Sequence, residues 1–471
     1  MTKRIWPRLS TKSVSVAIAI ELDIGLMTQE SQGALDAGSV GVLKGPLLAQ
    51  CEITEACNQS CYYCYNHWRP SRSGQALSPE LATDIVNKIA DLNIVAIALT
   101  GGEPLLCKST VDAAISTALA RNLLVSLNTN ASLLDRKMIE QYIAHRVYFL
   151  VSLPSSEPHT FKRITGSDFF PLIIENIRTI AHSGGMITIN MVVNDLNVHE
   201  IEDTAHFALG LGVTCFRATP VSPPQHLLRS QNVWGLSIEN YEAYFMAMNS
   251  LRRHSTIRVG TLGTIPFCMI PDWCQDIPSL YLGCTAGRGI VTVGTSGDIR
   301  PCSQADFSVG NILRQSSNDI LNALTPWQSR EYLPNRCREC AEATRCNGGC
   351  RMFAAHANGD MKACDPRMTD PVATEIHLGG TTNDSHSGKF GGECISAKPH
   401  VRWRREAHGY WSVFSGDYYD ILNESGMKLF RYFFVDGHVL PNEIPPRLGQ
   451  FVGYFLSRGY LTEPQKSEDD L

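Results

Sequence analysis

The stretch CEITEACNQSCYYCY, residues 51–65, is the most informative part of this 471-residue chain. Its cysteines Cys57, Cys61 and Cys64 have the spacing C-x3-C-x2-C and follow an apolar run at 47–53. Three thiolates satisfy three irons of a cubane and leave the fourth iron open to an outside ligand. The alternative is a zinc site completed by His67, although structural zinc sites prefer four closed ligands.

A second motif, LTGGEP at 99–104, stands at the end of the next apolar run. Gly101 and Gly102 allow the backbone to approach a ligand closely, and Glu103 can accept hydrogen bonds from an α-ammonium group. S-adenosylmethionine (SAM) offers that ammonium group and an amino-carboxylate for the open iron. Alone, the motif would more often be a turn before a helix. One strand–helix unit after the cysteine triplet, it indicates a SAM site.

Outward from these motifs, apolar runs alternate with helical patterns between Leu47 and Pro220. Ser78-Pro79 and Ser132 are plausible N-terminal caps for two of the helices. Six such units predict a parallel sheet with helices outside, as a partial barrel whose sites gather at the carboxyl ends of the strands. The predicted strands are 47–53, 94–99, 123–128, 147–153, 186–193 and 213–219, and the predicted helices lie near 78–92, 109–121, 132–145, 171–183 and 198–211.

Residues 45–220 resemble the radical SAM superfamily through the cysteine triplet and the GGEP motif. The resemblance implies that the triplet binds a 4Fe-4S cluster. It also implies that one electron enters the cluster and splits SAM into methionine and a 5′-deoxyadenosyl radical, which abstracts a hydrogen from the substrate.

The same resemblance implies a set of SAM-binding side chains. Tyr63 would pack near the adenine, and Gly101, Gly102 and Glu103 would bind the methionine amino group. Asn130, Ser152 and Arg163 are further candidates for the ribose or the carboxylate, although each position would also suit a turn cap or a solvated side chain. Pro154 stands where the family usually has an aspartate after the fourth-strand serine, which weakens the assignment of Ser152.

From about residue 264 the strand–helix alternation stops and cysteines become frequent. Seven of them resemble the SPASM extension of radical SAM enzymes that modify peptides and proteins. By that resemblance one auxiliary 4Fe-4S cluster is ligated by four cysteines and a second by three, with Cys274 preferred over Cys268 as its fourth ligand. Two structural zinc sites are the alternative. The first set is Cys337, Cys340, Cys346 and Cys364, and the second is Cys284, Cys302 and Cys350.

The sequence predicts a separate small domain at the end of the chain, after a Gly/Ser/Thr-rich linker at 378–393. Residues 401–406 and 410–414 predict a hairpin, and helical periodicity follows from Met427 and again from Ile444. Residues 398–464 resemble the peptide-binding winged-helix module of ribosomal peptide modification, known from the small chaperone of pyrroloquinoline quinone biosynthesis.

That resemblance implies that a leader peptide adds as a strand beside the hairpin, near Trp403, Tyr410 and Phe414. The alternative is a DNA-binding winged helix. Between Val401 and Glu463, however, the sequence has seven Lys/Arg and seven Asp/Glu. With this equal number of charges, the module lacks the excess of basic residues that DNA binding needs.

Composition restricts partners and compartment. The net charge of −5 gives no electrostatic reason to expect nucleic acid or an anionic membrane. The sixteen cysteines lie in a long chain without a convincing export signal, which favours clusters in a reducing cytoplasm over disulfides. No apolar run reaches the roughly 18–20 residues of a membrane span.

We therefore expect an α/β protein: a partial (βα)6 TIM-like barrel, a Cys-rich SPASM extension and a small C-terminal α+β winged-helix-like domain. It would be a radical SAM enzyme acting on a precursor peptide held by the C-terminal domain, with a low-potential electron donor such as flavodoxin or ferredoxin. Rival functions are a sulfatase-type maturase, a small-molecule radical SAM enzyme, or a non-catalytic iron–sulfur or zinc regulator that binds DNA. The expected domains are 1–45 (extension), 46–263 (radical SAM core), 264–375 (SPASM), 376–396 (linker) and 397–465 (peptide binding).

Overall fold

The chain forms two compact units, one from Gly45 to Leu378 and the other from Met1–Lys44 together with Gly379–Leu471. The computed structural model describes 43–65, 74–222, 235–274 and 277–369, and in the tail 396–397, 401–406, 411–414, 419–422, 427, 430 and 461–462. The predictions for the N-terminal extension, the linker, His67, Tyr410 and the helix from Ile444 lie outside these residues.

The first unit contains the predicted parallel sheet. Every one of the six predicted strands is present and pairs in parallel with its neighbour in chain order. A short seventh strand, β7 (Arg258–Gly260), pairs in parallel with the last of the six and extends the sheet. The α/β barrel-like prediction is confirmed. The six strands are β1 (Leu48–Thr54), β2 (Ala96–Gly101), β3 (Leu124–Thr129), β4 (Tyr148–Ser152), β5 (Ile187–Val193) and β6 (Cys215–Pro220).

Helices connect these strands in the expected order, with two additions. The helix α4 (Pro158–Thr165) was not predicted, and neither was the last helix, at 238–254. The helix α4 ends at Gly166, whose φ of 66° suits a left-handed helix end. The others are α1 (Pro79–Asp91), α2 (Lys108–Ala120), α3 (Arg136–Ala144), α5 (Phe170–His182), α6 (Ile201–Gly210) and α7 (Ile238–His254), with 3-10 turns at Pro104–Cys107 and Val198–Glu200.

The two predicted helix caps have different outcomes. Ser78 caps α1, since its side chain accepts a hydrogen bond from the Leu81 N–H at 3.2 Å. Ser132 is not a cap, and that prediction was wrong. The helix α3 begins only at Arg136, and Asp135 caps it by accepting from the Met138 N–H at 2.8 Å. The Ser132 hydroxyl instead donates to the Asn130 side-chain oxygen at 2.6 Å.

Side chains alternate across β1, as the pleat of a strand requires. Ala49, Cys51 and Ile53 belong to the hydrophobic core. The polar residues between them pair with the Cys-rich segment: the Gln50 Oε1 accepts from the Thr292 hydroxyl at 3.0 Å. Glu52 forms a buried ion pair with Arg300 at 2.5 Å. The interior face of this strand is therefore polar, and its outer face is apolar.

The Cys-rich segment continues the same sheet, which the sequence did not predict. The strand β8 (Ile290–Val293) pairs in parallel with β1, from Leu48 opposite Ile290 to Cys51 opposite Val293. The antiparallel strands β9 (Asp298–Arg300) and β10 (Gly310–Asn311) follow. Short helices complete the segment: α8 (Ser317–Ala323), α9 (Thr325–Gln328), α10 (Ala343–Cys346) and α11 (Arg351–Asn358), with 3-10 turns at Phe267–Met269, Asp272–Cys274, Pro278–Tyr281 and Asn335–Cys337.

In the second unit, the predicted hairpin is present. The strand β12 (Arg402–Arg405) pairs antiparallel with β13 (Trp411–Phe414), and a third strand, β14 (Tyr419–Leu422), pairs with β13. Met427 and Phe430 are helical and buried, and the Phe430 ring lies 5.8 Å from the ring of Trp403. A separate pair joins β11 (Ser396–Ala397) to β15 (Leu461–Thr462).

Within the described part of the chain, no helix combines the length and apolar character required to cross a bilayer.

Candidate SAM and iron–sulfur sites

The cysteine triplet lies on the loop that follows β1. The Ser60 N–H donates to the Thr165 carbonyl at 2.8 Å, which ties the loop to the end of α4. Within the loop, the Gln59 N–H points at the Cys57 sulfur at 3.4 Å. The Gln59 side chain accepts from the Cys61 thiol at 3.7 Å and donates to Ser167 at 3.0 Å. All three thiols are half-exposed, so the loop presents them at the carboxyl end of the strands.

Two glycines dock this loop against β2. A Cβ on Gly102 would lie 1.9 Å from the Ala56 carbonyl oxygen, and a Cβ on Gly101 would lie 2.3 Å from the Thr54 carbonyl oxygen. Gly101 also has a φ of 124°, which favours glycine. The Gly102 N–H donates to Thr54 at 2.7 Å. The close approach allowed by these glycines is therefore to the backbone of the cysteine loop.

Glu103 joins the ends of β2 and β3. Its carboxylate is buried and accepts from the Thr129 hydroxyl at 2.8 Å, the Asn130 N–H at 2.8 Å and the Leu105 N–H at 3.1 Å. Burial raises the pKa of Glu103 to about 7, although these hydrogen bonds act to lower it. A neighbouring ammonium group would favour the charged form, so the site is electrostatically suited to an α-amino group.

Asn130 connects Glu103 to the cysteine loop. Its backbone donates to Glu103, and its side-chain amide donates to the Asn58 side chain at 2.8 Å. Asn58 in turn donates to the Ser132 hydroxyl at 2.9 Å. The structure thus brings Glu103, Asn130 and the triplet loop into one hydrogen-bonded group, with Asn58 as a member that the sequence did not single out.

The remaining SAM candidates lie around this group. Burial raises the pKa of Tyr63, and the nearby Cys61 and Cys64 raise it further, which places the ring beside the triplet. Arg163 on α4 lies close enough to Tyr62 to lower the pKa of that phenol, against the larger effect of burial. Ser152 ends β4, paired with Asn190 of β5. Their roles in binding SAM stay predictions.

The triplet fits a cluster with one open iron. Among the described residues, no three His, Cys, Asp or Glu side chains surround a point where a single metal ion would sit. A cubane does not need such convergence, because each of its thiolates binds a different iron. Three thiols on one loop, with the Gln59 backbone N–H directed at the Cys57 sulfur, provide ligands for three irons.

Cys284, Cys302 and Cys350 form one auxiliary group. Burial raises the pKa of Cys302 to about 12, and Cys350 and Cys284 add to that effect. The pKa of Cys350 is raised by burial, by Cys284 and by Asp365, whereas Arg367 lowers it. The Cys350 sulfur also accepts from the Phe353 N–H at 3.4 Å. The mutual influence of these three thiols indicates that they lie near one another. Their role as ligands of one cluster stays a prediction.

The second auxiliary group contains Cys337 and Cys346. Burial raises the pKa of Cys337 to about 11, and Cys340, Cys364 and Cys268 raise it further. Burial also raises the pKa of Cys346 to about 12, and Cys268 again contributes. Cys268 therefore lies with this group, whereas the sequence offered it only as a candidate ligand of the other cluster.

Cys274, the preferred fourth ligand of the cluster on Cys284, lies against α7. Its thiol is fully buried and donates to the Phe245 carbonyl at 3.7 Å. It acts on the pKa of Tyr244 and Tyr281, whose main shift comes from burial. The described contacts add no support for Cys274 as a ligand, and this assignment stays a prediction.

Comparison with protein families agrees with both cysteine regions. Residues 51–208 match the family model of the radical SAM superfamily, and residues 284–341 match that of an iron–sulfur cluster-binding domain, SPASM. The chain is a radical SAM enzyme with a SPASM domain. The first domain implies a 4Fe-4S cluster that works with SAM, and the second implies auxiliary iron–sulfur clusters.

Several known proteins resemble this radical SAM enzyme. A PqqA peptide cyclase from Granulibacter bethesdensis is 24% identical over 342 residues, which cover 69% of this chain and 88% of that protein. An AdoMet-dependent heme synthase from Methanosarcina barkeri is 24% identical over 344 residues, which cover 69% of this chain and 97% of that protein. The crystal structure of Streptococcus suis SuiB bound to its precursor peptide SuiA has a TM-score of 0.57 at 15% identity, and the match covers 78% of this chain and 82% of that one. This likeness supports the fold.

Proposed function

We propose that this radical SAM enzyme modifies a ribosomally synthesised precursor peptide. The observation that carries the proposal is the combination of a radical SAM core and a SPASM domain with a separate tail unit that contains an antiparallel sheet. The relatives named PqqA peptide cyclase support a peptide substrate. The modification would be a crosslink, a thioether, an excision or an oxidation.

The tail sheet offers a physical means of holding a leader peptide. An extended peptide binds such a sheet by adding a strand, with main-chain hydrogen bonds for affinity and side-chain contacts for specificity. Trp403 on β12 is 40% exposed, although its ring lies close to that of Phe430, so it presents apolar surface on the hairpin. Holding the leader on the same chain raises the effective concentration of the core peptide at the barrel.

At the barrel, Cys57, Cys61 and Cys64 would hold the cluster, which supplies the electron that splits SAM. The chain's own contribution is position and charge. Glu103 would accept from the SAM amino group, while Gly101 and Gly102 keep β2 close to the cysteine loop. The polar interior face of β1 would line the space for the substrate residue.

An electron must reach the cluster from outside, and we propose a low-potential carrier such as flavodoxin or ferredoxin. The three half-exposed triplet thiols and the thiol-rich SPASM segment suit a reducing compartment, which supports placement in the cytoplasm. Iron–sulfur clusters on these cysteines would be lost or oxidised under oxidising conditions.

The test uses anaerobic full-length protein with a precursor peptide encoded beside its gene. We expect 5′-deoxyadenosine and a defined mass change in the peptide by mass spectrometry. A variant lacking residues 395–471 should still cleave SAM but modify the full precursor at least about tenfold more slowly, from lost effective concentration. A leaderless core peptide is the control and should react equally slowly with both proteins. Equal rates on the full precursor would contradict the role of the tail.

A small-molecule substrate is the second candidate, because the AdoMet-dependent heme synthase aligns over 97% of its own length. Such an enzyme would have no use for a peptide-capturing tail. Unchanged turnover of a small molecule by the variant lacking 395–471, together with no mass change in any precursor, would favour it.

A further inference from the structure

A buried ion pair lies among the auxiliary cysteines. The Asp365 carboxylate receives two hydrogen bonds from the Arg367 guanidinium, at 2.9 Å to Oδ1 and 2.7 Å to Oδ2. Both side chains are almost fully buried, with 0% and 3% exposure. Bidentate contacts of this kind are the strongest and most directional hydrogen bonds between side chains.

The carboxylate contacts a segment that carries a cysteine of the other auxiliary group. Asp365 Oδ2 accepts from the Cys350 backbone N–H at 2.8 Å, and Asp365 directly follows Cys364 in the chain. By the SPASM resemblance, Cys350 and Cys364 belong to different auxiliary clusters. A single carboxylate therefore joins the chain segments that ligate both.

The guanidinium connects this group to the barrel. Arg367 donates to the Thr264 carbonyl at 2.8 Å and to the Tyr241 hydroxyl at 3.1 Å, and Tyr241 lies on α7. The Arg367 guanidinium also lies over the Phe353 ring, with its central carbon 5.0 Å from the ring centroid. The segments that carry Cys350 and Cys364 are short helices and loops, so their position relative to the barrel depends on contacts such as these.

We propose that the Asp365–Arg367 pair is a positioning element that also balances charge at the auxiliary clusters, and thereby sets their reduction potential. The potential of an iron–sulfur cluster depends on net charge and on hydrogen bonding around it. The intact pair is neutral. Loss of either partner leaves one uncompensated charge of known sign in a site where solvent screens little. The proposal does not depend on the identity of the substrate.

The test compares Asp365→Asn with Arg367→Gln in full-length protein whose triplet is replaced by Cys57→Ala, Cys61→Ala and Cys64→Ala. In that background only auxiliary clusters contribute to the redox signal. Asp365→Asn leaves a positive charge and should raise the auxiliary potential, whereas Arg367→Gln leaves a negative charge and should lower it. Opposite shifts are the signature of charge balance, because a packing defect alone would not reverse sign between the two variants.

Controls address folding and exposed charge. Arg367→Lys keeps the positive charge and should return the potential towards wild type, and this comparison with Arg367→Gln remains decisive if Asp365→Asn fails to fold. Glu331→Gln removes a carboxylate from the exposed Lys362–Glu331 pair, at 3.4 Å, and should not shift the potential, because exposed charges are screened. Shifts of equal sign for Asp365→Asn and Arg367→Gln, or equal potentials for Arg367→Lys and Arg367→Gln, would overturn the proposal.

Discussion

Gly102→Ala tests whether close backbone contact between β2 and the cysteine loop holds the SAM site together. The new Cβ would lie 1.9 Å from the Ala56 carbonyl oxygen and 2.5 Å from the Ala56 carbonyl carbon. Both obstructing atoms belong to the backbone, so no side-chain rotation relieves the clash. Overpacking typically costs about 1–3 kcal/mol. We expect the upper end, about 3 kcal/mol, and a displaced cysteine loop that no longer supports SAM cleavage.

Gly210→Ala is the matched control. Gly210 ends α6, has nothing within 4 Å of its would-be Cβ and, like Gly102, has no left-handed φ. Alanine in a helix is favoured over glycine by about 0.5–1 kcal/mol. The control should therefore be neutral or slightly stabilising, with normal SAM cleavage.

Both variants are measured in the same way. Urea unfolding of the anaerobic apoprotein gives the change in the free energy of unfolding, and 5′-deoxyadenosine formation by the reconstituted protein gives the effect on the site. If Gly102→Ala matched Gly210→Ala in both assays, the steric explanation for the GGEP glycines would be refuted.

Three further predictions concern Glu103, the Glu52–Arg300 pair and the cap of α1. Burial raises the folded-state pKa of Glu103 from 4.5 to about 7, so the folded protein holds this proton more tightly than the unfolded chain. The free energy of unfolding should therefore fall by about 3 kcal/mol as pH rises from 4.5 to about 7. In urea unfolding, Glu103→Gln should flatten this part of the pH profile. Glu52→Gln removes the closer and fully buried carboxylate of Arg300 and leaves only the partly exposed Asp298, at 3.5 Å. It should cost about 3 kcal/mol by the same method, the lower end of the range for breaking a buried pair, so a loss below 1 kcal/mol would argue against a buried pair. Ser78→Ala should cost about 1 kcal/mol and Ser78→Asp almost nothing; equal losses in the thermal midpoint would show that the cap hydrogen bond is not the cause.

The sequence predicted the six barrel strands well because each is a short stretch rich in apolar residues, as is typical of strands in a parallel sheet covered by helices. It also located the triplet and Glu103, since both depend on local spacing. It missed β8, a four-residue strand whose existence depends on pairing with β1, far away in the chain. A strand this short carries little local signal, because its stability comes from the partner strands on either side.

The assignment of side-chain roles was less predictable than the fold. Ser132 had the right residue type for a cap, but its hydroxyl hydrogen-bonds to Asn130 and Asn58, a competition that only the folded geometry reveals. The sequence alone could not place Cys268 near Cys337 and Cys346, because the two segments are separated by about seventy residues. The buried Asp365–Arg367 pair likewise follows from packing.

The parallel pairing of β8 with β1 has a practical consequence for dissecting this enzyme. A fragment ending near residue 263 would expose the N–H and C=O groups of Leu48–Cys51 along a strand that is otherwise apolar on one face. Unprotected strand edges of that kind recruit other chains. A barrel separated from its Cys-rich segment should therefore self-associate and precipitate, so the two regions must be produced as a single polypeptide.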